Sequence, residues 1–282
     1  MIERDSNLLI VGLGLIGGSY ARGLKKAGYC VNAIEIREDA LQYAISNGVI
    51  DNGAVWDEDM VREADFLIFG LYPQMTVDWL RDHQHLLKSG AIITDVSGVK
   101  KGVVDEIQSF LREDVEFISS HPMAGKEVGG VENSDEKIFL PANFLIVPTE
   151  KNTSRGVAFA RELAQALNFA NIAVLSMQEH DEMIGYVSQL THAIAVSLMT
   201  ASDNTHLKDY TGDSFRDLTR IAKINDVLWS ELFFLNREVL IGEIDQFSAE
   251  LQRLRGMLME KDEKGLREMF RLSSKRRAEF DK

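Results

Sequence analysis

The chain has 282 residues, enough for one large or two ordinary domains, each with its own core. Its 45% hydrophobic and 27% charged content is that of a folded globular protein and excludes a disordered one. A formal net charge of −13 argues against nucleic acid, whose phosphates would be repelled, and the basic run Lys275-Arg276-Arg277 reads as a helix end that complements the macrodipole.

The single Cys30 permits no internal disulfide and, placed in an apolar strand, is expected to be a buried inert thiol. The uncharged run from Leu8 to Gly18 is too short to span a bilayer. Glu3 and Asp5 stand where a signal peptide would be positive, so the expected location is cytoplasmic, with no membrane partner.

In chain order, an apolar strand at Leu8 to Val11 turns through glycines into an amphipathic stretch ending near Gly28, and a second strand runs from Cys30 to Ile36. Strand, helix and strand within about thirty residues is the size of a βαβ unit. Further apolar runs follow at FLIFGL (66–71), AIITDV (91–96), VEFISS (115–120), NFLIVP (143–148) and IAVLS (172–176), mostly with helix-like segments between them. Such alternation predicts a Rossmann-type, doubly wound, mostly parallel sheet over residues 1–176.

After Ser176 the pattern is helical, which predicts an all-helical second domain over 177–282. Ser176-Met-Gln-Glu179 is a capping-box pattern opening a helix to about Ser202. Later, Leu240, Ile244, Phe247, Leu251, Leu254 and Leu258 are spaced alternately by four and three, a seam that wants a partner helix. Packing within the domain and a helical homodimer interface both satisfy it.

Two sites carry chemistry. Gly12-Leu13-Gly14-Leu15-Ile16-Gly17 follows a strand and opens a helix. There Gly12 allows the tight turn, Gly14 lets a pyrophosphate approach the backbone, and Gly17 lets helix and strand pack closely. Glu35, ending the second strand, would accept hydrogen bonds from ribose hydroxyls and repel a 2′-phosphate, favouring NAD over NADP; Arg37 is either a partner for that phosphate or an exposed loop charge. Leu71, closing FLIFGL, is placed with these cofactor-binding residues. No metal ligands are assigned.

The second site is His121 in FISSHPMAGKEVGG, held extended by the following proline. It either ends a buried strand with local hydrogen bonds or, beside a nicotinamide, accepts the proton released when an alcohol is oxidised. Ser97 belongs to the same sheet edge, where its hydroxyl orients the imidazole, binds substrate or caps a turn.

GLGLIGGS at the first turn, DVSGVK at 95–100, SHPMAGKE at 120–127, SQLTHAIA at 188–195 and DSFRDLTRIAKIND at 213–226 together resemble the prephenate dehydrogenase family, which includes arogenate dehydrogenases. The resemblance runs in order to about Trp229. It implies a Rossmann domain followed by a helical dimerisation domain, and NAD-dependent oxidation of a cyclohexadienol with loss of its ring carboxylate. The substrate implied is prephenate, with arogenate as the rival. By position it implies His121 as the catalytic histidine and Arg220 as the holder of a substrate carboxylate, a task suited to a planar bidentate fork.

It also implies His192 lining the substrate pocket, Glu127 near its mouth and Trp229 reaching across a dimer. Asp217 shares a helix face with Arg220 but also forms a capping-box pattern with Ser214. Two positions depart from the family. Ser97 precedes Gly98 where many members have glycine then serine, and Asp213 adds negative charge before the arginine helix, which favours a substrate bearing an ammonium group. Outside this family, the alternatives are a non-catalytic NAD-binding regulator and a β-hydroxyacid dehydrogenase, a group that resembles this chain only in its Rossmann part.

Overall fold

The computed structural model describes residues 2–280. Its first strand, β1 (Leu8–Val11), leads through the glycine turn into α1 (Leu15–Lys26), and β2 (Val31–Ile34), α2 (Glu38–Ser46) and β3 (Asn52–Ala54) follow. The chain continues through α3 (Glu58–Glu63), β4 (Phe66–Phe69), α4 (Pro73–His83), β5 (Ile92–Asp95), α5 (Lys101–Phe110) and β6 (Glu116–Phe117). These six strands form one parallel sheet in the order β3-β2-β1-β4-β5-β6, the doubly wound dinucleotide-binding arrangement.

Strands β1, β4 and β5 are buried along their whole length, because a parallel sheet covered on both faces leaves no wet side to alternate toward. Leu8, Ile10, Phe66, Ile68 and Ile92 pack on one face with residues of α1 and α2. Leu9, Val11, Leu67, Phe69 and Ile93 pack on the other with residues of α3, α4 and α5. Each such side chain contributes about 1.5–3 kcal/mol on burial.

The expected strand at 115–120 is broken. Ile118 donates its N–H to Ile93 O, and the chain then leaves the first sheet as β7 (Ser119–Pro122). Strand β7 pairs antiparallel with β8 (Asn143–Val147), which, after α6 (Ser154–Ala166), pairs parallel with β9 (Asn171–Val174) in a second, three-stranded sheet. Strand β3 was not expected, since Asn52, Gly53 and Ala54 carry no strand signature; it survives as an edge paired with β2. Cys30 is exposed rather than buried, because β2 begins one residue later and Cys30 falls in the turn before it.

The capping box at Ser176 forms as read, with Ser176 and Glu179 bonding reciprocally at the start of α7 (Met177–Ile184). A π-helical stretch, Gly185–Leu190, joins α7 to α8 (Thr191–Thr200). Then come α9 (Leu207–Tyr210), α10 (Asp213–Thr219), a 3₁₀ turn at Arg220–Ala222 and α11 (Asp226–Leu235). The Ser214–Asp217 capping box does not form: α10 starts at Asp213 with Gly212 as its N-cap, so Ser214 is already inside the helix.

By internal contacts the chain divides into two compact units between Asn236 and Arg237. The second is a hairpin of α12 (Arg237–Glu260) and α13 (Glu263–Arg277), turned at Lys261 (φ 53°) and capped by Asp262, which accepts from Gly265 N at 2.9 Å. On α12, Ile244, Phe247, Leu251 and Leu258 are 37–57% exposed, leaving most of the apolar seam unpartnered. Among the described residues no helix is long and apolar enough to cross a membrane.

Candidate active site

The glycine turn lies where β1 and β4 end side by side, the point at which strand order reverses and open α/β sheets bind ligands. Gly12 has φ +92°, and a Cβ there would also meet Leu71 Cδ2 at 2.6 Å, so Leu71 packs against the turn. A Cβ on Gly17 would lie 2.0 Å from Gly12 O, which is how closely α1 seats on β1. A Cβ on Gly14 would meet nothing within 4 Å: the space in front of the helix is open. The amides of Leu15, Ile16 and Gly17 precede the first helical bond, Gly18 N to Gly14 O, and point the positive end of α1 into that space. The arrangement fits a dinucleotide pyrophosphate.

Glu35 sits at the edge of this space but also holds the turn. Its Oε2 accepts from Leu13 N at 2.7 Å, and its Oε1 accepts from Arg37 N at 2.9 Å. Each oxygen keeps a further acceptor site for a ribose hydroxyl. The Arg37 side chain is half exposed, with its Nε 3.7 Å from Glu35.

A buried polar cluster fixes His121. Asp95, at the end of β5, accepts from Ser119 Oγ at 2.6 Å, Ser120 N at 3.0 Å and Ser97 N at 3.0 Å. It also pairs with Lys100 Nζ at 3.0 Å, and Lys100 donates to Ser120 O at 2.7 Å. Both charged side chains are fully buried, a burial tolerated only because these bonds satisfy them. Burial pushes the Lys100 ammonium below its ordinary pKa, with Asp95 opposing that shift. The cluster pins the backbone at the residue before His121.

His121 Nδ1 lies 2.9 Å from His180 Nε2, and His180 Nδ1 lies 2.7 Å from Asp181 Oδ1. Asp181 also accepts from Lys100 N and Lys101 N, each at 2.9 Å, so it caps α5 from the second turn of α7. His121 keeps a partly accessible edge. Burial, helped by the facing His180 and Lys100, holds its pKa well below the usual 6.5. A Cβ on Gly98 would lie 3.8 Å from His121 Nε2, so that nitrogen faces the 95–100 loop. Ser97 reaches the same loop but turns away: its Oγ donates to Val99 O at 3.0 Å, because its own N–H is tied to Asp95.

A third group of expected residues gathers from α8, α11, the 3₁₀ turn at Arg220–Ala222 and the loop after β7. His192 bonds Ser188 O through Nδ1 at 2.8 Å, which leaves Nε2 as its acceptor in the neutral ring. The Trp229 ring stacks on it at 3.6 Å within the same chain. Arg220 forms an ion pair with Glu127. Burial lowers the pKa of His192, with Glu127 opposing and Arg220 reinforcing the shift, so all three lie within electrostatic range. Asp213 instead pairs with Arg216 at 3.3 Å and is 94% exposed, and Asp217 is on the exposed side of α10.

Sequence reasoning missed His180, Asp181, Asp95 and Lys100. The adjacent His-Asp pair just inside the capping box at Ser176 was the available signal for the first two. Asp95 and Lys100 stood inside the quoted DVSGVK run, but only the fold shows them paired and buried.

Comparison with known proteins identifies what the chain as a whole is similar to. Residues 20–172 match the family model described as prephenate dehydrogenase, nucleotide-binding domain, and residues 176–272 match prephenate dehydrogenase, dimerization domain. The chain is 32% identical to a prephenate dehydrogenase of Lactococcus lactis subsp. cremoris (strain MG1363), over 93% of this chain and 74% of that protein. It is 28% identical to a cyclohexadienyl dehydrogenase of Zymomonas mobilis subsp. mobilis, over 96% of this chain and 94% of that protein. Among solved structures, prephenate dehydrogenase from A. aeolicus in complex with hydroxyphenyl propionate and NAD+ superposes with a TM-score of 0.90 at 26% identity, covering 99% of this chain and 100% of that one.

Proposed function

This chain belongs to the prephenate dehydrogenase family, and we propose that it is an NAD-dependent enzyme that oxidatively decarboxylates prephenate to 4-hydroxyphenylpyruvate. The observation that carries the reading is His121: neutral near pH 7, rigidly held, and facing the 95–100 loop with its Nε2.

The amides after Gly14 would hold the phosphates of NAD and Glu35 its ribose, and the bound cofactor would supply the hydride acceptor. Beside it, His121 takes the hydroxyl proton as hydride leaves the carbinol carbon, giving a ring ketone. The bond to the ring carboxylate then breaks and carbon dioxide departs. Its electron pair aromatises the ring and leaves a phenolate, which recovers a proton from the His121 imidazolium. Arg220 binds a substrate carboxylate through its fork, exchanging Glu127 for it, and His192 accepts through Nε2 beside the Trp229 ring. Ser97 supports the loop rather than the proton transfer.

Arogenate is the second reading. The acidic Glu127 at Arg220 favours it, since a carboxylate there can pair with an ammonium once the arginine is engaged. The protein acts as a homodimer through the exposed seam of α12, with a nucleotide-binding domain over 1–176 and a helical domain over 177–282. Initial rates of NADH formation with prephenate, arogenate and simple hydroxy acids test the reading. Turnover of prephenate above arogenate supports it, the reverse moves the substrate, and reduction by hydroxy acids alone overturns it.

A further inference from the structure

We propose that His180 and Asp181 are positioning residues for the reaction: Asp181 fixes the His180 tautomer, and His180 in turn fixes His121 with its proton on Nδ1 and its Nε2 lone pair free. The proposal rests on His121 being the proton acceptor.

The proton positions follow outward from Asp181. Its carboxylate already accepts from the amides of Lys100 and Lys101, so it is an acceptor to every neighbour, and the 2.7 Å contact to His180 Nδ1 requires the proton to be on that nitrogen. His180 is fully buried, and burial lowers its pKa against the opposing pull of Asp181, so its ring is neutral. A neutral imidazole with a proton on Nδ1 has only a lone pair at Nε2. The 2.9 Å contact between His180 Nε2 and His121 Nδ1 therefore takes its proton from His121. That leaves His121 Nε2 as the base, on the edge of the ring that faces residue 98.

The same chain serves the charged state. When His121 takes a proton at Nε2, its Nδ1–H still points at the His180 lone pair, and Asp181 lies one bond further on. The charge of Asp181 then opposes that of Lys100, which is itself matched by Asp95. The role is that of the carboxylate behind the histidine in a serine-protease triad, transmitted here through a second ring. A purely structural account explains Asp181, whose two amide bonds dock α7 on α5, but not His180. An apolar side chain would fill that buried position without the cost of burying two ring nitrogens.

The test combines a tautomer measurement with two variants. In ¹⁵N-histidine-labelled protein with NAD bound, the His121 signals, identified by their loss in His121→Asn, should show a protonated Nδ1 and an unprotonated Nε2. His180→Leu should lose that preference and lower kcat by about 10²-fold or more, with KM for prephenate and NAD affinity little changed. His180→Gln, whose side-chain oxygen can accept from His121 Nδ1, should recover about tenfold or more over leucine. An Nε2-protonated or mixed His121 in the wild type overturns the proposal, as do leucine and glutamine variants of equal kcat. If His180→Leu does not fold, the wild-type tautomer and the glutamine variant decide. If the wild type does not turn over prephenate, the functional reading fails, while the tautomer signal still reports on the His180 contact by itself.

Discussion

The two glycines at the start of α1 should fail in different ways when each is replaced by alanine. At Gly17 the new methyl would lie 2.0 Å from a backbone oxygen, against a closest real approach of 3.0 Å, so helix or strand must give by at least an ångström. Gly17 and Gly12 are both buried, and overpacking of this kind costs about 1–3 kcal/mol, more than the roughly 1 kcal/mol that alanine gains over glycine in a helix. Gly17→Ala should therefore melt several degrees below wild type, at about 2–4 °C per kcal/mol for a domain of this size. At Gly14 the backbone is in an ordinary extended conformation, φ −74° and ψ −163°, and a Cβ meets nothing. Gly14→Ala should melt within a degree or two of wild type, yet lose one or two charge-assisted bonds to the pyrophosphate. At about 1.5–3 kcal/mol each, that is roughly tenfold or more in the NAD dissociation constant. Scanning calorimetry and isothermal titration measure the two effects separately. A Gly14→Ala protein that binds NAD as wild type does would refute the reading of the open space as the phosphate site.

Arg220→Lys keeps the charge but loses the planar fork, so KM for prephenate should rise about tenfold with kcat nearly retained; an unchanged KM would remove Arg220 from substrate binding. Lys100→Met strips the buried partner from Asp95, and equilibrium unfolding should show a loss of about 3–5 kcal/mol, softened by the serine and amide donors that remain. The acid limb of kcat/KM should fall below pH 6.5, because the base must be neutral and its pKa in the fold is depressed by burial, His180 and Lys100. Stability has the same sign: His121, His180 and His192 all have lowered pKa values when folded, so the unfolded chain binds more protons. Stability should thus be full above about pH 6.5 and decline as pH falls through the unfolded value toward the folded ones, which acid titration of the urea midpoint would follow.

What was legible in the sequence was what local chemistry decides. Ser176 and Glu179 form their capping box wherever a helix begins there, and the glycine spacing after β1 has one compact solution, so both were found where they were read. The burial of β1, β4 and β5 followed from apolar runs too long for a one-sided sheet. What escaped depended on partners distant in sequence. The strand at 115–120 breaks because Ser119 and Ser120 pair with Val147 and Ile146 of β8, a partner strand more than twenty residues further along the chain. Glu35 holds the turn at Leu13 as well as facing the ribose site, a contact that no motif displays. His180 escaped for the same reason: its neighbour in the structure is fifty-nine residues away, and the adjacent Asp181 was its one local sign.

The central claim is that His121 accepts the proton released on oxidation. The direct measurement is single-turnover reduction of NAD by prephenate in wild type and His121→Asn, with NAD affinity measured in parallel. The account predicts unchanged NAD binding and a chemical step slowed by about 10²–10⁴-fold, the usual worth of a positioned base. A variant that reduces NAD at the wild-type rate would contradict it.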